Sequence, residues 1–435
     1  MRRGTALKTW TSWNGNISHP YAELARPTTE QELRASVAEA RGVRAFGNRQ
    51  SSADIAAGTE RLISIQDYNA AVDVNQADMQ ITVQSGITLA ALLRRIEALG
   101  WCIPCLPDID TVTLGGAIAT GTHGTAGDGH PLCEYMVSCR IVHADGSIES
   151  VDQADRRFPA LRCSLGLLGL FSTVTLQCRP LYQLRVEEQP IPDDQWLNQY
   201  RRWLDEFDFV RIIWLPHTGY GWVVLGEKIS ADSVVAEQSP PWYVKYRREV
   251  SKLLYRRTAH SPRFTRTANR LLQRLFFSHK TQTRGTLYGA TVTKSRASTL
   301  ELAEWAVAQQ RFETLFEELR HHLERNDNDA FAHIPMDIRF LKADQTWLSQ
   351  AYGEDAVTVG CVTRNPQFAD RYHAFDLVES LFLRYAGRPH WAKRFQAGPA
   401  ELQPHWPHWK DFVNLRRAAD PEGRFLNSHL RRLFE

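Results

Sequence analysis

The run from Leu114 to Gly127 constrains this chain more than any other part of it. It reads Leu-Gly-Gly-Ala-Ile-Ala-Thr-Gly-Thr-His-Gly-Thr-Ala-Gly, so five of its fourteen residues are glycine and most of the others are small. Such a run cannot build an apolar core of its own, but it can bring bare backbone N–H groups close to a ligand. Loops rich in these donors commonly hold phosphate groups. The run therefore predicts a cradle for an anion or a cofactor, with a tight packing loop as the alternative.

The spacing of these glycines excludes two common nucleotide-binding motifs. No Gly-Lys-Ser/Thr follows, so the run is not a P-loop, and it lacks the Gly-x-Gly-x-x-Gly of a dinucleotide fold. Upstream, Val43 to Phe46 predicts a short buried strand that continues into the loop Gly47-Asn48-Arg49-Gln50-Ser51-Ser52. Two donor-rich loops predict one extended ligand that is contacted twice, and a dinucleotide with two phosphates fits this better than a small metabolite. An ordinary strand-to-loop connection is the alternative for the upstream turn.

Length and composition bound the class of protein. The 435 residues are enough for two or three domains, and 43% hydrophobic with 23% charged residues is ordinary for a globular protein. A net charge of +3 does not indicate a nucleic-acid binder. The seven cysteines indicate reduced thiols in a cytosolic protein, and Cys102 with Cys105 is interpreted as buried thiols rather than a redox pair. With neither an apolar signal region nor a run of ~20 apolar residues, we expect a cytoplasmic protein.

The pattern of strands and helices changes along the chain. Up to Pro180, short strands alternate with short helices, which predicts an α+β or α/β first domain. Beyond it, Val210 to Leu215 and Trp222 to Leu225 predict a strand pair. Leu300 to Arg325 is predicted to be helical, as two helices, and Phe331 to Phe340 is predicted to be a strand.

Four motifs in a fixed order point to a family. They are Arg44 to Ser51, Leu114 to Thr125, Ser164-Leu-Gly-Leu-Leu-Gly169 and Arg388-Pro-His-Trp-Ala-Lys393. Together they resemble the aldonolactone and alditol oxidases, FAD enzymes of the vanillyl-alcohol-oxidase type, over almost the whole chain. The resemblance implies an α+β fold with an FAD-binding (PCMH-type) domain at 1–180 and a cap domain with a large antiparallel sheet covered by helices at 181–395. A C-terminal segment, 396–435, would return to the FAD domain.

The resemblance also implies which residues bind FAD. The first loop supplies Phe46, Gly47, Asn48, Arg49, Gln50, Ser51 and Ser52; the central loop supplies Gly115, Gly116, Ala119, Thr120, Gly121, Thr122, His123 and Gly124; a third loop supplies Gly169 and Phe171. The family usually has a histidine bonded covalently to the flavin where this chain has Gln50. An amide nitrogen is no nucleophile under these conditions, so we expect non-covalent FAD. Loss of that bond commonly lowers the flavin potential in this family. The electron acceptor is therefore left open among oxygen, a quinone and other acceptors.

Three further residues are catalytic candidates. Residues i and i+2 of a strand face the same side, so Asp337 and Arg339 should project together. A surface ion pair worth roughly 0–1 kcal/mol is the alternative. The resemblance gives Asp337 the binding of substrate hydroxyls and gives Arg339 and Lys393 the stabilisation of the anionic reduced flavin. His123 is either a general base or, as the family implies, a structural residue of its loop. No metal site is predicted.

The resemblance implies oxidation of a primary or secondary alcohol of an aldonolactone or alditol by hydride transfer to flavin N5. A phosphorylated or lipid-linked sugar, as in decaprenylphosphoryl-ribose oxidases, is one alternative substrate, and flavin binding without turnover is another interpretation. The basic stretch from Lys245 to Arg284 is typical of a solvated helical face. Its interleaved aromatic residues and leucines also permit peripheral membrane contact through an amphipathic surface.

Overall fold

The computed structural model describes residues 8–125, 129–230, 233, 235, 238–258, 262–292, 300–325, 335–364 and 373–435. Gly127 of the glycine-rich run, and residues 331–334 of a predicted strand, lie outside these ranges. The strands are β1 Lys8–Thr11, β2 Ser18–Tyr21, β3 Glu23–Ala25, β4 Val43–Phe46, β5 Arg61–Ser64, β6 Ala71–Asn75, β7 Gln80–Gln84, β8 Trp101–Cys102, β9 Met136–Val142, β10 Ile148–Asp152, β11 Leu170–Gln177, β12 Arg179–Pro180, β13 Gln183–Pro192, β14 Phe209–Trp214, β15 Tyr220–Ile229, β16 Thr281–Thr286, β17 Leu300–Ala308, β18 Met336–Leu341, β19 Ala356–Arg364 and β20 Arg388–Pro389. The helices are α1 Glu30–Ala38, α2 Leu89–Ala98, α3 Leu114–Ala119, α4 Phe158–Leu161, α5 Asp193–Glu206, α6 Arg247–Thr258, α7 Pro262–Phe276, α8 Leu287–Thr291, α9 Phe312–Glu324, α10 His373–Arg384, α11 Pro399–Leu402, α12 Trp409–Ala419 and α13 Ser428–Phe434.

The N-terminal part contains two main sheets. One is three-stranded and parallel in the order β3-β5-β4, and the other is five-stranded and antiparallel in the order β10-β9-β11-β7-β6. Helix α1 begins with a capping box, in which Thr29 accepts from the Glu32 backbone and the Glu32 carboxylate accepts from the Thr29 backbone. The strand after it, β4, leads directly to the predicted Gly47 loop, so the strand-to-loop transition is confirmed.

The larger sheet has eight strands in the order β16-β13-β15-β14-β18-β19-β17-β20, and every pairing in it is antiparallel. Helices α5, α9 and α10 cover one face, where Phe316 packs edge-on against both Trp196 and Trp214. Farther along this face, Trp305 contacts Phe382 of α10. The predicted α+β fold with a large antiparallel sheet covered by helices is confirmed, and the opposite face is left to line the site.

One predicted element is wrong. Residues 300–308 form strand β17 rather than a helix, and the predicted stretch is helical only after it, as the 3-10 helix Gln309–Arg311 and helix α9. Leucine, alanine and glutamate favour a helix in isolation. In the folded chain, however, β17 pairs with β19 along all nine residues and with β20 on its other side. A place inside the sheet outweighs local propensity, because both backbone edges are hydrogen-bonded there.

The C-terminal residues pack against the N-terminal part. The Val43 backbone donates to the carbonyl of Arg424 at 2.8 Å, and the Asn427 side chain donates to Ala57 O at 2.6 Å while it caps α13. Among the described residues, no helix is both long and apolar enough to cross a bilayer.

Candidate functional site

One large cavity, with about 1410 Å³ of empty space including its open mouth, collects most of the predicted site residues. Its wall includes these predicted residues: Phe46, Gly47, Asn48, Arg49, Gln50, Ser51, Gly115, Gly116, Ala119, Thr120, Thr122, His123, Gly169, Phe171, Arg339 and Lys393. Four predicted residues are not part of that wall, namely Ser52, Gly121, Gly124 and Asp337. The two glycine-containing loops, which are far apart in sequence, therefore face the same space.

The two loops touch where the second one begins. A Cβ atom on Gly47 would lie 2.0 Å from the Thr113 hydroxyl oxygen, so only glycine permits this approach. A Cβ atom on Gly115 would likewise lie 2.8 Å from the Ser85 Cβ. Beyond this contact, the backbone of Gly121 has a φ of +63°, which glycine adopts without strain. The glycines thus serve close backbone packing as well as access to a ligand.

Arg44 joins the loops that surround the cavity. Its guanidinium is buried and donates to three carbonyl oxygens from separate segments: Ile55 at 2.9 Å, Phe425 at 2.9 Å and Leu165 at 2.8 Å. Burial lowers the pKa of this guanidinium to about 10, and attraction to Asp54 opposes the shift. Sequence reasoning placed Arg44 in a motif but gave it no role; here it fixes the third loop and the C-terminal segment against the first loop.

Four charged residues form an alternating network beside the cavity. Arg211 donates to Asp337 at 2.7 Å and pairs with Asp108 at 2.9 Å. Arg339 pairs with Asp108 at 2.5 Å and also with Asp337. The expected projection of Asp337 and Arg339 to one side of a strand is confirmed, because both reach this network from β18. Burial alone would lower the pKa of Arg339, but the two aspartates outweigh it and raise that pKa.

Asp108 and Arg339 line the cavity, whereas Asp337 and Arg211 stand behind them. Both carboxylate oxygens of Asp337 are engaged by arginines. The network therefore holds Arg339 in a fixed direction, and the carboxylate that it presents to the cavity belongs to Asp108.

A second charged cluster involves Glu304 of β17. Its Oε1 lies 2.5 Å from His123 Nε2, without the alignment of a hydrogen bond, and only 13% of its side chain is exposed. Burial raises the pKa of Glu304, but the interaction with His123 outweighs it and holds that pKa well below its usual range.

His390 and Lys393 are brought to the same wall by a short segment after β20. The His390 backbone donates to Glu304 O at 2.9 Å, and the Lys393 backbone donates to His390 O at 2.9 Å. The Ser52 backbone donates to Ala392 O at 2.8 Å, which ties this segment to the first loop. Burial lowers the pKa of His390 to about 3, so its imidazole is neutral near pH 7.

The cavity wall suits a dinucleotide cofactor. It combines donor-rich backbone with the Ser85 hydroxyl, which is buried and has no hydrogen-bond partner among the described protein atoms. A buried hydroxyl is normally satisfied, so this one indicates a polar ligand in the cavity. The cations Arg339 and Lys393 suit a ligand that becomes more negative during the reaction. Among the described residues, no group of three His, Cys, Asp or Glu side chains is placed to hold a metal ion.

Sequence reasoning missed three charged residues of the site. Arg211 interrupts the apolar strand Phe-Val-Arg-Ile-Ile-Trp, and a charge inside such a strand is a signal that could have been used. Glu304 was hidden by the wrong helix prediction, and Asp108 lies in a loop with no distinctive pattern. Thr125, the last residue of the central motif, donates to Val210 O at 2.6 Å and does not line the cavity.

Two family models match successive parts of the chain. A model of the D-arabinono-1,4-lactone oxidase family matches residues 174–433, and a model of an FAD binding domain matches residues 21–152. The L-gulonolactone oxidase of Scyliorhinus torazame is 26% identical over 100% of both chains. The L-gulono-1,4-lactone dehydrogenase of Mycobacterium tuberculosis is 29% identical over 98% of both chains.

A solved structure extends the likeness in fold. Cholesterol oxidase from Brevibacterium sterolicum superposes with a TM-score of 0.79 over 99% of this chain and 97% of that one, at 15% identity. At this identity the likeness concerns the fold alone, which is the one predicted for a vanillyl-alcohol-oxidase-type flavoprotein. The family match covers more than half of the chain and includes β18 and the Lys393 segment. This chain belongs to the D-arabinono-1,4-lactone oxidase family and is an FAD-dependent oxidoreductase acting on CH–OH groups.

Proposed function

We propose that this protein oxidises a primary or secondary alcohol of an aldonolactone or an alditol, with FAD held non-covalently. The observation that carries the proposal is a single cavity lined both by the donor-rich loops and by Arg339 and Lys393. We also propose an FAD-binding domain at 1–180, a cap domain at 181–395 and a returning segment at 396–435. The contacts of Arg424 and Asn427 with the N-terminal part support the return of the last segment.

Bound FAD would supply the two-electron acceptor for the C–H bond beside the reacting hydroxyl. The chain's own residues then have three tasks: to hold the substrate, to exclude water and to offset developing negative charge. Arg339 and Lys393 are suited to the last task, because fixed cations stabilise a charge that develops in the transition state at no further reorganisation cost. The network around Arg339 removes much of its rotational freedom, which also serves the orientation of the substrate.

The division of labour between the two aspartates is part of this proposal. Asp337 is predicted to bind substrate hydroxyls, and that assignment stays a prediction. Because Arg211 and Arg339 already occupy its oxygens, Asp337 is better placed to position Arg339. Asp108 lines the cavity and can accept a hydrogen bond from a substrate hydroxyl in addition to its ion pairs.

For the electron acceptor and location, we propose a cytoplasmic enzyme that passes electrons to a quinone or a similar acceptor faster than to oxygen. Gln50 supports the choice of acceptor, because it stands where the family usually has the histidine bonded to the flavin, and loss of that bond commonly lowers the flavin potential. The seven free, buried cysteines support a reducing compartment. Reoxidation of the photoreduced enzyme by oxygen and by a soluble quinone should be compared by stopped-flow absorbance. Faster reoxidation by oxygen would contradict this part of the proposal.

The main test has two steps on the purified holoenzyme. Acid precipitation should release the yellow chromophore into the supernatant, and flavin retained in the pellet would contradict non-covalent binding. Anaerobic addition of aldonolactones and alditols should then bleach the flavin absorbance, with phosphorylated sugars as the comparison set. Bleaching only by phosphorylated sugars, or by none of these compounds, would contradict the proposed substrate class.

A further inference from the structure

Exposed apolar side chains are concentrated in one small part of the molecule. The described residues include eight large hydrophobic side chains that are well exposed, and six of them fall between residues 242 and 275. These six are Trp242, Tyr246, Leu253, Phe264, Leu271 and Leu275. Trp242 is 74% exposed and Phe264 63%. We call the 3-10 helix Trp242–Tyr246, α6, α7 and Phe277 together the helical arm.

Positive charge is concentrated in the same place. The basic stretch Lys245 to Arg284, which includes most of the arm, contains twelve lysines and arginines and a single acid, Glu249, for a net charge of +11. Since the whole chain carries +3, the rest of the protein carries −8. An anionic surface would therefore attract the molecule at this stretch and repel it elsewhere, so the charge asymmetry also sets an orientation.

Helix α7 sorts its residues into three lines. With 100° per residue, side chains spaced by four or seven residues share a line along the helix. An inward line is buried against the protein and consists of Ala268, Leu272 and Phe276. A second line is apolar and exposed: Phe264, Leu271 and Leu275. A third line is cationic: Arg266, Arg270 and Arg274. An exposed apolar line beside a cationic one is typical of a helix that lies in a membrane interface.

The arm is docked firmly enough to present these lines outward. Leu272 and Phe276 pack with Leu215, at the end of β14. The buried Asn269 side chain donates to Pro216 O at 3.0 Å, and Arg270 donates to His217 O at 3.1 Å. Because these contacts hold the inward line, the apolar line cannot rotate into the protein interior.

We propose that the helical arm binds the surface of an anionic lipid bilayer, with the apolar line of α7 and Trp242 entering the headgroup region. The cationic line supplies charge complementarity to anionic headgroups. The apolar line favours a bilayer over a nucleic acid, because its side chains lower their free energy when they leave water and have no such gain against phosphates. This inference extends the proposal of a quinone acceptor made above and rests on it, because a lipid-soluble quinone is found at a membrane surface. Lipid binding is measured without turnover, so its failure is distinguishable from failure of the proposed oxidation.

The test is flotation of the purified full-length holoenzyme with vesicles of neutral phosphatidylcholine alone or with 30% phosphatidylglycerol. We expect binding to the anionic vesicles and at least roughly tenfold weaker binding to the neutral ones, since each basic residue near the surface contributes about a fivefold increase in affinity. Raising the ionic strength should weaken the binding. Equal binding to both kinds of vesicle, or binding to neither, would overturn the proposal.

Matched variants assign the binding to the arm. The combined change Phe264→Ser, Leu271→Ser and Leu275→Ser should lower affinity for anionic vesicles by roughly tenfold or more, because it removes apolar surface that leaves water on binding. The control Val72→Ser with Tyr220→Ser removes the two well-exposed large apolar side chains that the described residues include outside the arm, and it should leave binding unchanged. Unchanged binding in the triple variant would overturn the proposal, as would self-association through the arm, seen by sedimentation, without vesicle binding.

Discussion

Arg44→Lys should loosen the walls of the cofactor cavity. The arginine donates to three buried carbonyl oxygens, and a lysine ammonium at the same place can reach at most one of them in good geometry. Two carbonyls would then be left unsatisfied, at about 1–3 kcal/mol each, or about 2–6 kcal/mol in total. Burial already lowers the pKa of the guanidinium to about 10, and a buried ammonium would be shifted toward its neutral form.

For a chain of this length, such a loss corresponds to a fall in Tm of roughly 2–7 °C if unfolding is cooperative. The affinity for FAD should fall as well, by about tenfold or more, because the Leu165 loop and the C-terminal segment lose their common anchor beside the cavity. Apoprotein titrated with FAD, followed by the quenching of flavin fluorescence, gives the Kd. Differential scanning fluorimetry gives the Tm.

Arg424→Lys is the matched control. Arg424 also donates to several carbonyls of distant segments, among them Ala40 and Ala38, but it does not line the cavity. Both variants should have a lower Tm than the parent protein. The affinity for FAD should fall further in Arg44→Lys than in Arg424→Lys. Equal FAD affinities in the two variants would refute the argument that Arg44 shapes the cavity rather than merely stabilising the fold.

Three further substitutions test separate parts of the structure. Gly47→Ala should weaken FAD binding, because its Cβ would lie 2.0 Å from the Thr113 oxygen and the loops must separate, whereas Gly42→Ala, with 3.9 Å to Thr59 Cβ, should bind FAD normally. Glu304→Gln should raise the midpoint potential of the flavin, because it removes a negative charge from the cavity wall; the matched Glu301→Gln, at a carboxylate that does not line the cavity, should leave the potential unchanged. Asp344→Asn should flatten the pH dependence of Tm. Burial, followed by repulsion from Glu134, raises the pKa of Asp344 to about 7. The stability contributed by its neutral form is therefore complete below pH ~4 and lost as the pH rises through about 7, with an upper bound of about 4 kcal/mol. A Tm difference between pH 5 and pH 8 that is the same in the variant as in the parent protein would contradict this assignment.

Local patterns in the sequence were enough for several features of the site. The strand before Gly47 and the shared face of Asp337 and Arg339 both follow from backbone geometry over a few residues. The family and its cofactor were identified from the order of short motifs. These features were predictable because each depends on contacts within one turn, one strand or one loop.

The tertiary structure decided what those local patterns leave open. β17 is a strand because β19 and β20 flank it, although its composition favours a helix, and that pairing carries Glu304 to the cavity. Several contacts in the charged network and around Arg44 join residues more than 100 positions apart, such as Arg211 with Asp108 and Arg44 with Phe425. Spacing in a sequence fixes only which neighbours share a face. Which distant charges meet is set by the packing of whole sheets and loops, and so is visible only in the folded chain.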